Sequence, residues 1–228
     1  MSEFTFASVK QFDQHITQSI RGYNDLIDDI VGLSRYFVEP DTNVLDIGCS
    51  TGTLLSRLTR DVDRYMHQKD SVKFIGIDIE PKFIKSAKKA TTGTNTKIKN
   101  TKIQKYVFEN NMSFVTSVFT LQFISKKHRN YVIDEIYDKL NVGGAFVLCE
   151  KILPEHPTLH QMITSIHHDY KRKSFTCQDI MDKDVSLRHM MKTDTKKQII
   201  TNLERAGFDV IDIFWQQHEF VGFVAIKQ

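Results

Sequence analysis

The chain has 228 residues, the length of one ordinary α/β domain and short for two. Hydrophobic residues make up 40% and charged residues 26%, which is a globular composition and excludes a disordered chain. With 31 Lys and Arg against 28 Asp and Glu, the formal net charge of +3 is too small to indicate obligate binding to a polyanion. Cys49, Cys149 and Cys177 are far apart and odd in number, which argues against a disulfide scaffold and a zinc ribbon.

The N-terminal segment 1–16 has no basic region followed by an apolar run, and no stretch of the chain is apolar enough for a membrane span. We therefore expect a soluble protein of a reducing compartment, most simply the cytoplasm.

The first half of the chain alternates between helical and strand patterns. Residues 12–37 are predicted to form one helix, because apolar residues recur at three- and four-residue spacing until Pro40 approaches. The predicted elements that follow are a strand over 43–48, a helix over 53–66, a strand over 72–78 and a helix over 81–90. This order indicates a βαβ unit with a right-handed crossover.

The second half continues the alternation less regularly. The predicted elements are a strand over 113–119, a helix over 127–140, a turn over 141–144, a strand over 144–150, a helix over 199–206 capped by Gly207, and strands over 208–215 and 220–226 that pair as an edge hairpin. Residues 91–105 are polar, and residues 154–195 form a mostly helical insertion. The sequence thus predicts a doubly wound α/β fold, as a single domain over 1–228 with a helical cap.

A ligand site is expected beyond the carboxyl ends of the strands. Gly48 and Gly52 follow the first strand, where glycine lets a backbone approach a ligand closely. A plain strand-to-helix turn also uses glycine, but Asp78 ends the second strand, where an acid can accept two hydrogen bonds from a ribose diol. A nucleoside site is therefore the favoured interpretation.

The loop favours S-adenosylmethionine over a dinucleotide. Its glycines are spaced G-x-x-x-G, whereas dinucleotide sites use G-x-G-x-x-G. Asp46 would repel a pyrophosphate but would attract the ammonium group of S-adenosylmethionine, while Asp78 holds its ribose. No metal site is predicted, because His167 and His168 are helical neighbours whose side chains point apart.

Six motifs extend from about residue 20 to the C-terminus. They are Gly22-Tyr23-Asn24, the segment D-I-G-C-S from Asp46, F-T-L-Q-F from Phe119, G-G-A-F-V-L-C-E-K from Gly143, H-H-D-Y-K-R from His167, and R-A-G-F from Arg205. With these motifs the chain resembles class I S-adenosylmethionine-dependent methyltransferases and, more narrowly, the carboxy-S-adenosylmethionine synthases, which serve tRNA wobble-uridine modification. The glycine loop identifies only the superfamily, whereas F-T-L-Q-F and H-H-D-Y-K-R are more specific.

The resemblance implies a Rossmann-like, seven-stranded, mostly parallel sheet with an antiparallel edge strand and a helical cap. It implies S-adenosylmethionine or its carboxylated derivative as the cofactor, and a homodimer with the cap near the partner chain. Residue pattern and resemblance together predict cofactor contacts from Tyr23, Asp46, Gly48, Cys49, Ser50, Gly52, Asp78, Ile79, Val118 and Phe119. Tyr23 could supply cation–π stabilisation of the sulfonium, or it could be an ordinary buried aromatic. Cys49 is interpreted as a small residue that permits close approach.

Three positions depart from the family pattern. The acid expected after the third strand is missing from residues 102–105, and Val118 replaces an asparagine. The arginine with which the family binds the extra carboxylate of the cofactor is replaced by Asp184. This replacement removes ionic hydrogen bonds of about 1.5–3 kcal/mol each. A shift of the alignment would place Lys183 or Arg188 there instead, and this alternative stays open.

The remaining features are weaker. His168, Tyr170, Arg172 and Asp184 are candidates for the acceptor pocket, mainly through the resemblance, and His167 is expected to pack in the core or the cap. No general base or other catalytic residue can be assigned. Residues 82–105 contain eight lysines and no acid, for which a solvated surface is favoured over a phosphate-binding patch for nucleic acid.

The leading hypothesis is a methyltransferase that uses unmodified S-adenosylmethionine and a small-molecule acceptor. The second is a carboxy-S-adenosylmethionine synthase with prephenate as carboxyl donor, disfavoured by Asp184. The third is a catalytically silent subunit that binds S-adenosylmethionine or a partner.

Overall fold

A seven-stranded sheet forms the centre of the computed structural model, which describes residues 11–66 and 71–228. The strands are β1 (Asn43–Ile47), β2 (Lys73–Asp78), β3 (Thr96–Asn100), β4 (Met112–Val118), β5 (Leu140–Lys151), β6 (Val210–Gln217) and β7 (Phe220–Ile226). The helices are α1 (Phe12–Ser19), α2 (Tyr23–Phe37), α3 (Thr53–Tyr65), α4 (Pro81–Ala90), α5 (Lys126–Lys139), α6 (Pro157–Lys171), α7 (Cys177–Leu187) and α8 (Lys196–Ala206). These elements confirm the doubly wound α/β prediction.

The order of the strands locates the expected ligand site. The sheet runs β3-β2-β1-β4-β5-β7-β6, and strands β1 to β5 pair in parallel. Strand β7 pairs antiparallel with both β5 and β6, so the predicted antiparallel strand is present at this end of the sheet, with β6 outside it. The strand order reverses between β1 and β4, so their carboxyl ends flank the crevice in which ligands of such sheets bind.

Apolar helix faces cover both sides of the sheet. On one side, α2 and α3 bury side chains such as Leu26, Ile30 and Leu58. On the other side, α5 and α8 bury side chains that include Ile133 and Leu203. Full burial of each such side chain contributes about 1.5–3 kcal/mol, so this packing holds the strand ends rigidly at the crevice.

The prediction of a single helix over residues 12–37 was wrong. Ile20 is extended and Gly22 has a φ of 72°, which breaks the helix into α1 and α2. The apolar spacing continues across the break, so periodicity alone could not reveal it. The break turns α1 towards the cap, where the hydroxyl of Tyr170 donates a 2.9 Å hydrogen bond to the carbonyl of Thr17.

Two further segments differ from their predictions. The polar segment 91–105 contains β3, in which Ile98 packs over Gly76 while Lys97 and Lys99 point away from that face. The turn predicted over 141–144 is an irregularity inside β5, whose pairing with β4 shifts register between Met112 and Phe114. The C-cap at Gly207 is confirmed by its φ of 114°.

The insertion after β5 is helical as predicted and contains α6 and α7. We refer to residues 154–195 as the cap. Within the described ranges, none of the helices combines the length and the apolar character that a transmembrane span requires.

Candidate functional site

A buried carboxylate marks the end of β1. Asp46 is 2% exposed and accepts a 2.8 Å hydrogen bond from the hydroxyl of Thr116 on β4. Burial raises the pKa of Asp46 to about 7, the Thr116 hydrogen bond opposes the increase, and the nearby charge of Asp78 adds to it. A carboxylate with this one side-chain hydrogen bond among the described residues keeps free lone pairs, so a ligand cation would bind there favourably.

The loop after β1 is shaped by two close approaches. The backbone amides of Gly48 and Cys49 donate to the carbonyl of Ile77, at 2.8 and 3.0 Å. A Cβ at Gly48 would lie 2.1 Å from Oγ1 of Thr120, and a Cβ at Gly52 would lie 2.7 Å from Cα of Ala87. Both glycines also have positive φ, so no other residue fits these positions without displacing a neighbour.

Asp78 stands at the end of β2 as the sequence predicted. Its two oxygens accept hydrogen bonds from the backbone amides of Ser50, at 3.0 Å, and Glu80, at 2.8 Å. Burial raises the pKa of Asp78, and these amide hydrogen bonds counteract the increase. The backbone amide of Ile79 also bonds to this carboxylate, which leaves one of its four lone-pair sites for a ribose hydroxyl. The neighbouring Ile79 is 60% exposed at the same rim.

Aromatic rings connect the crevice to the cap. The ring of Tyr23 lies 6.5 Å from that of Phe119, the Phe119 ring lies 5.5 Å from that of Phe220, and the Phe220 ring lies 5.2 Å from that of His167. Burial raises the pKa of Tyr23, and the Asp46 charge raises it further, which places the phenol within the field of that carboxylate. The rings therefore form an apolar wall beside a buried negative charge.

Two residues at the rim have a left-handed backbone. Ser50 has a φ of 48° and Phe119 a φ of 53°, and an aromatic residue is rare in this region. Such strain concentrates at binding and catalytic sites, where the surrounding structure holds it in place. The half-buried Val118 immediately precedes Phe119 at the end of β4.

Cys49 faces away from the crevice. A Cβ at Gly76 would lie 2.9 Å from its sulfur, so the thiol packs against β2. Burial raises the pKa of this thiol, with the charges of Asp46 and Asp78 as further causes. The thiol is thus protonated and shielded, and Cys49 contributes small size and a backbone amide to the loop.

Two basic residues of the cap contact Asp184. The Nε2 atom of His168 lies 2.9 Å from one Asp184 oxygen, and the buried Lys171 places its Nζ 3.8 Å from the other. Burial lowers the pKa of Lys183 to about 8, and the charge of Lys171 lowers it further. Burial and both lysines also lower the pKa of His15 on α1. Helices α1, α6 and α7 therefore bring His15, Lys171 and Lys183 close together, beside the contacts of His168 and Lys171 with Asp184.

The other cap candidates make different contacts. Tyr170 bonds to α1 through Thr17, and Arg172 forms an ion pair with Asp169 at the surface. Arg188 is exposed. His167 packs against Phe220 as predicted, and burial lowers its pKa to about 3.

The residues present fit S-adenosylmethionine. Oγ of Ser50 is buried and has no hydrogen-bond partner among the described residues, so the loop holds a polar atom suited to a ligand. Asp46 can pair with the ammonium group and Asp78 with the ribose, beside an aromatic wall that suits a sulfonium. In residues 11–66 and 71–228, His, Cys, Asp and Glu side chains form no group of three or more that could hold a metal ion.

Sequence reasoning missed three residues that shape the site. Thr116 bonds to Asp46, Thr120 abuts Gly48, and Asp13 on α1 accepts a 2.7 Å hydrogen bond from the hydroxyl of Thr51. The strand pattern places Thr116 on β4 but does not show which strand lies beside β1, and nothing in the sequence predicts that α1 folds over the loop.

The comparisons with known proteins agree with this geometry. A family model described as a methyltransferase domain matches residues 44–144. The N-methyltransferase NodS from Bradyrhizobium japonicum, solved with S-adenosyl-L-homocysteine, has a TM-score of 0.58 and 15% identity, and the match covers 90% of this chain and 86% of NodS. An S-adenosylmethionine-dependent methyltransferase from Methanosarcina mazei has a TM-score of 0.59 and 18% identity, and the match covers 86% and 96% of the two chains. The fold is that of the class I S-adenosylmethionine-dependent methyltransferases.

Relatives of similar length identify the family of this chain within the methyltransferase class. The carboxy-S-adenosyl-L-methionine synthase of Staphylococcus epidermidis is 34% identical, covering 99% of this chain and 97% of that protein. A protein of the same name from Escherichia coli is also 34% identical, covering 95% of this chain and 87% of the relative. The chain belongs to the carboxy-S-adenosyl-L-methionine synthase family and is a transferase related to these proteins.

Proposed function

We propose that this protein transfers the methyl group of unmodified S-adenosylmethionine to a small-molecule acceptor. The observation that carries the proposal is Asp184, which stands where the family resemblance implies an arginine and which pairs with His168 and Lys171. A carboxylate at this position repels a second carboxylate on the cofactor, whereas an arginine would bind it.

Each of the predicted cofactor residues would contact a different part of S-adenosylmethionine. Asp46 pairs with the ammonium group, Asp78 accepts from a ribose hydroxyl, and Ser50 contributes its hydroxyl. Tyr23 and Phe119 place aromatic surface near the sulfonium. In the turn after β3, where the family acid is absent, the half-buried Gln104 offers an amide to the adenine.

S-adenosylmethionine supplies a methyl group on a sulfonium, which is already a good leaving group. The protein therefore contributes mainly positioning: the cap holds the acceptor in line with the methyl carbon and excludes water. His168, Tyr170, Arg172 and Asp184 are the cap residues proposed to form the acceptor pocket.

Carboxy-S-adenosylmethionine synthesis from prephenate is the second candidate. Two relatives that match nearly the whole chain are named carboxy-S-adenosyl-L-methionine synthases, which supports the candidate. It is also supported by Lys171 and Lys183, whose cationic groups lie close enough for one to lower the pKa of the other. Two lysines could replace the bidentate arginine only in part, since their ammonium groups lack its planar fork.

Mass spectrometry of the products separates the two reactions. The purified protein is incubated with S-adenosylmethionine, with and without prephenate, and the cofactor is analysed for added mass. We expect the unmodified cofactor to bind and no carboxylated product to form. A cofactor heavier by one carboxyl group would overturn the proposal, and calorimetry without detectable S-adenosylmethionine binding would favour a silent subunit.

Two substitutions of Asp184 test whether this residue sets the preference between the plain and the carboxylated cofactor. Asp184→Arg restores the family residue and should increase the affinity for the carboxylated cofactor by at least about tenfold, the effect of one ionic hydrogen bond. Asp184→Asn removes the charge without adding a guanidinium and should give a smaller increase. Equal affinities in both variants and the original protein would show that residue 184 does not face the cofactor.

We further propose a cytoplasmic homodimer, as the family resemblance implies, and a role in tRNA modification would follow from the second candidate reaction. Exposed apolar side chains on the cap support a partner chain there: Leu159, Met162 and Ile166 on α6, with Met181 and Val185 on α7. The free thiols of the three cysteines suit a reducing compartment. Analytical ultracentrifugation tests the dimer.

A further inference from the structure

The basic residues of one short segment account for the net positive charge of this protein. Residues 82–105 contain eight of the 31 basic residues and none of the 28 acids. The rest of the chain therefore has 23 basic residues against 28 acidic ones and is net negative. A chain with a small overall charge thus has strongly segregated charge.

Seven of these eight lysines are exposed and form no ion pair with a described residue. Lys99 pairs with Glu109 at 3.0 Å. The other seven are exposed, and none forms an ion pair with any residue that the structure describes: Lys82, Lys85, Lys88, Lys89, Lys97, Lys102 and Lys105. Four of the seven, Lys82, Lys85, Lys88 and Lys89, lie on the outer side of helix α4, and we call these four residues the lysine surface.

One rigid helix presents the lysine surface. The apolar residues of α4, Phe83, Ile84 and Ala87, are buried, so the helix is fixed with its lysines outward. In the part of the chain that the structure describes, strand β3 pairs with β2 alone, and its Lys97 points away from the face on which Ile98 packs, so Lys97 is not part of this surface. From Lys82 to Lys89 the helix rises about 10 Å, a length along which a duplex carries several phosphates.

We propose that the lysine surface binds a double-helical nucleic acid through its phosphates. Neutralising phosphates with unpaired lysines releases counterions, which is the main source of sequence-independent affinity. The single aromatic residue of the segment, Phe83, is buried, so the surface cannot stack unpaired bases. It also cannot insert into a membrane, because the apolar face of α4 is already packed in the core.

The surface adjoins the cofactor site. Helix α4 begins three residues after Asp78, whose oxygens accept from the backbone of the glycine loop and of Glu80. A duplex on α4 would therefore lie beside the crevice. This inference does not depend on the acceptor, since it concerns a surface outside the crevice.

Fluorescence anisotropy with labelled RNA and DNA duplexes of equal length and mixed sequence tests the inference. The key variant is Lys82→Gln, Lys85→Gln and Lys89→Gln combined. The control is Lys127→Gln, Lys173→Gln and Lys197→Gln combined, which removes the same charge from exposed positions elsewhere. Circular dichroism melting confirms that both variants fold.

We expect binding to weaken steeply as salt rises from about 50 to 200 mM, and the key variant to lower the slope of log K against log salt by about 2 to 3. Its affinity at low salt should fall at least about tenfold, while the control stays within about threefold. The two duplexes decide whether RNA or DNA is preferred. Absence of binding to both, equal losses in the two variants, or tighter binding to phosphatidylserine vesicles than to either duplex would overturn the inference.

Discussion

The hydroxyl of Thr116 donates a 2.8 Å hydrogen bond to the carboxylate of Asp46, directly across the pairing of β4 with β1. The parallel register makes these two residues neighbours, and both are fully buried. Burial raises the pKa of Asp46 to about 7, so a cation beside the carboxylate is needed to stabilise its ionised form.

The first prediction is a pH-dependent affinity for S-adenosylmethionine. The ammonium group binds the ionised form of Asp46, whose pKa without ligand is about 7. Affinity should therefore rise about tenfold per pH unit from about pH 5, and level off above about pH 7. Calorimetry over this range measures the profile, and Thr116→Val should shift the midpoint to higher pH by removing the hydrogen bond.

Asp46→Asn supplies the control for this prediction. The variant should bind weakly at every pH tested. Without ligand it should melt at a higher temperature than the original above about pH 7, because the raised pKa of Asp46 costs folding stability as pH increases. A profile in the original protein as flat as that of the variant would contradict the role of Asp46.

The second prediction concerns the ring of Tyr23. Tyr23→Leu should weaken S-adenosylmethionine binding by about 3- to 30-fold, because an aromatic face near a sulfonium is worth about 0.5–2 kcal/mol. Tyr23→Phe keeps the ring and should retain most of the affinity. Equal losses in the two variants, measured by calorimetry, would show that the hydroxyl matters and not the ring.

The third prediction compares two glycines with similar backbones. Gly52 and Gly93 have φ values of 83° and 81°, but a Cβ at Gly93 meets nothing within 4 Å. Gly93→Ala should cost about 1 kcal/mol from backbone strain alone. Gly52→Ala should cost clearly more and abolish cofactor binding, because its Cβ would strike the backbone of Ala87. Chemical denaturation measures both, and similar costs would mean that α4 shifts freely.

The fourth prediction concerns the ion pair between Arg129 and Asp194. Both side chains are buried, Nη1 of Arg129 lies 2.5 Å from Asp194, and Nη2 donates to the carbonyl of Lys192. Asp194→Ala should cost about 3–5 kcal/mol, because it leaves a guanidinium buried without its partner.

The exposed pair of Arg205 with Asp134 is the matched control for this ion pair. Asp134→Ala should cost less than about 1 kcal/mol in denaturation experiments. Since Asp194 ends the cap, loss of the buried pair should also expose residues 154–195 to proteolysis. A cap that stays resistant would contradict this link between α5 and the cap.

The sequence was sufficient for those parts of the fold that have local signals. Glycine after a buried apolar run and Asp78 at the next strand end predicted the crevice and its position. Gly207 predicted the end of α8, because a left-handed cap strongly favours glycine.

Other features depend on contacts between residues that are distant in the chain. The break at Gly22 follows from the way α1 packs on the cap, while the apolar spacing continues through it. Strand β3 is stabilised by pairing with β2, so Lys97 and Lys99 can flank a single half-buried isoleucine. The partners of Asp184 come from α6, and no spacing rule relates residues 168, 171 and 184.

Helix α1 can open away from the crevice without disturbing the sheet. None of its side chains is fully buried, and the contacts that hold it include the hydrogen bonds that Thr51 donates to Asp13 and that Tyr170 donates to the carbonyl of Thr17. Elements with few buried apolar contacts open at the lowest free energy cost. Amide hydrogens of α1 should therefore exchange with solvent faster than those of α2, and bound nucleoside should slow them. The ligand can then enter and leave the crevice when α1 opens, while the sheet beneath keeps its structure.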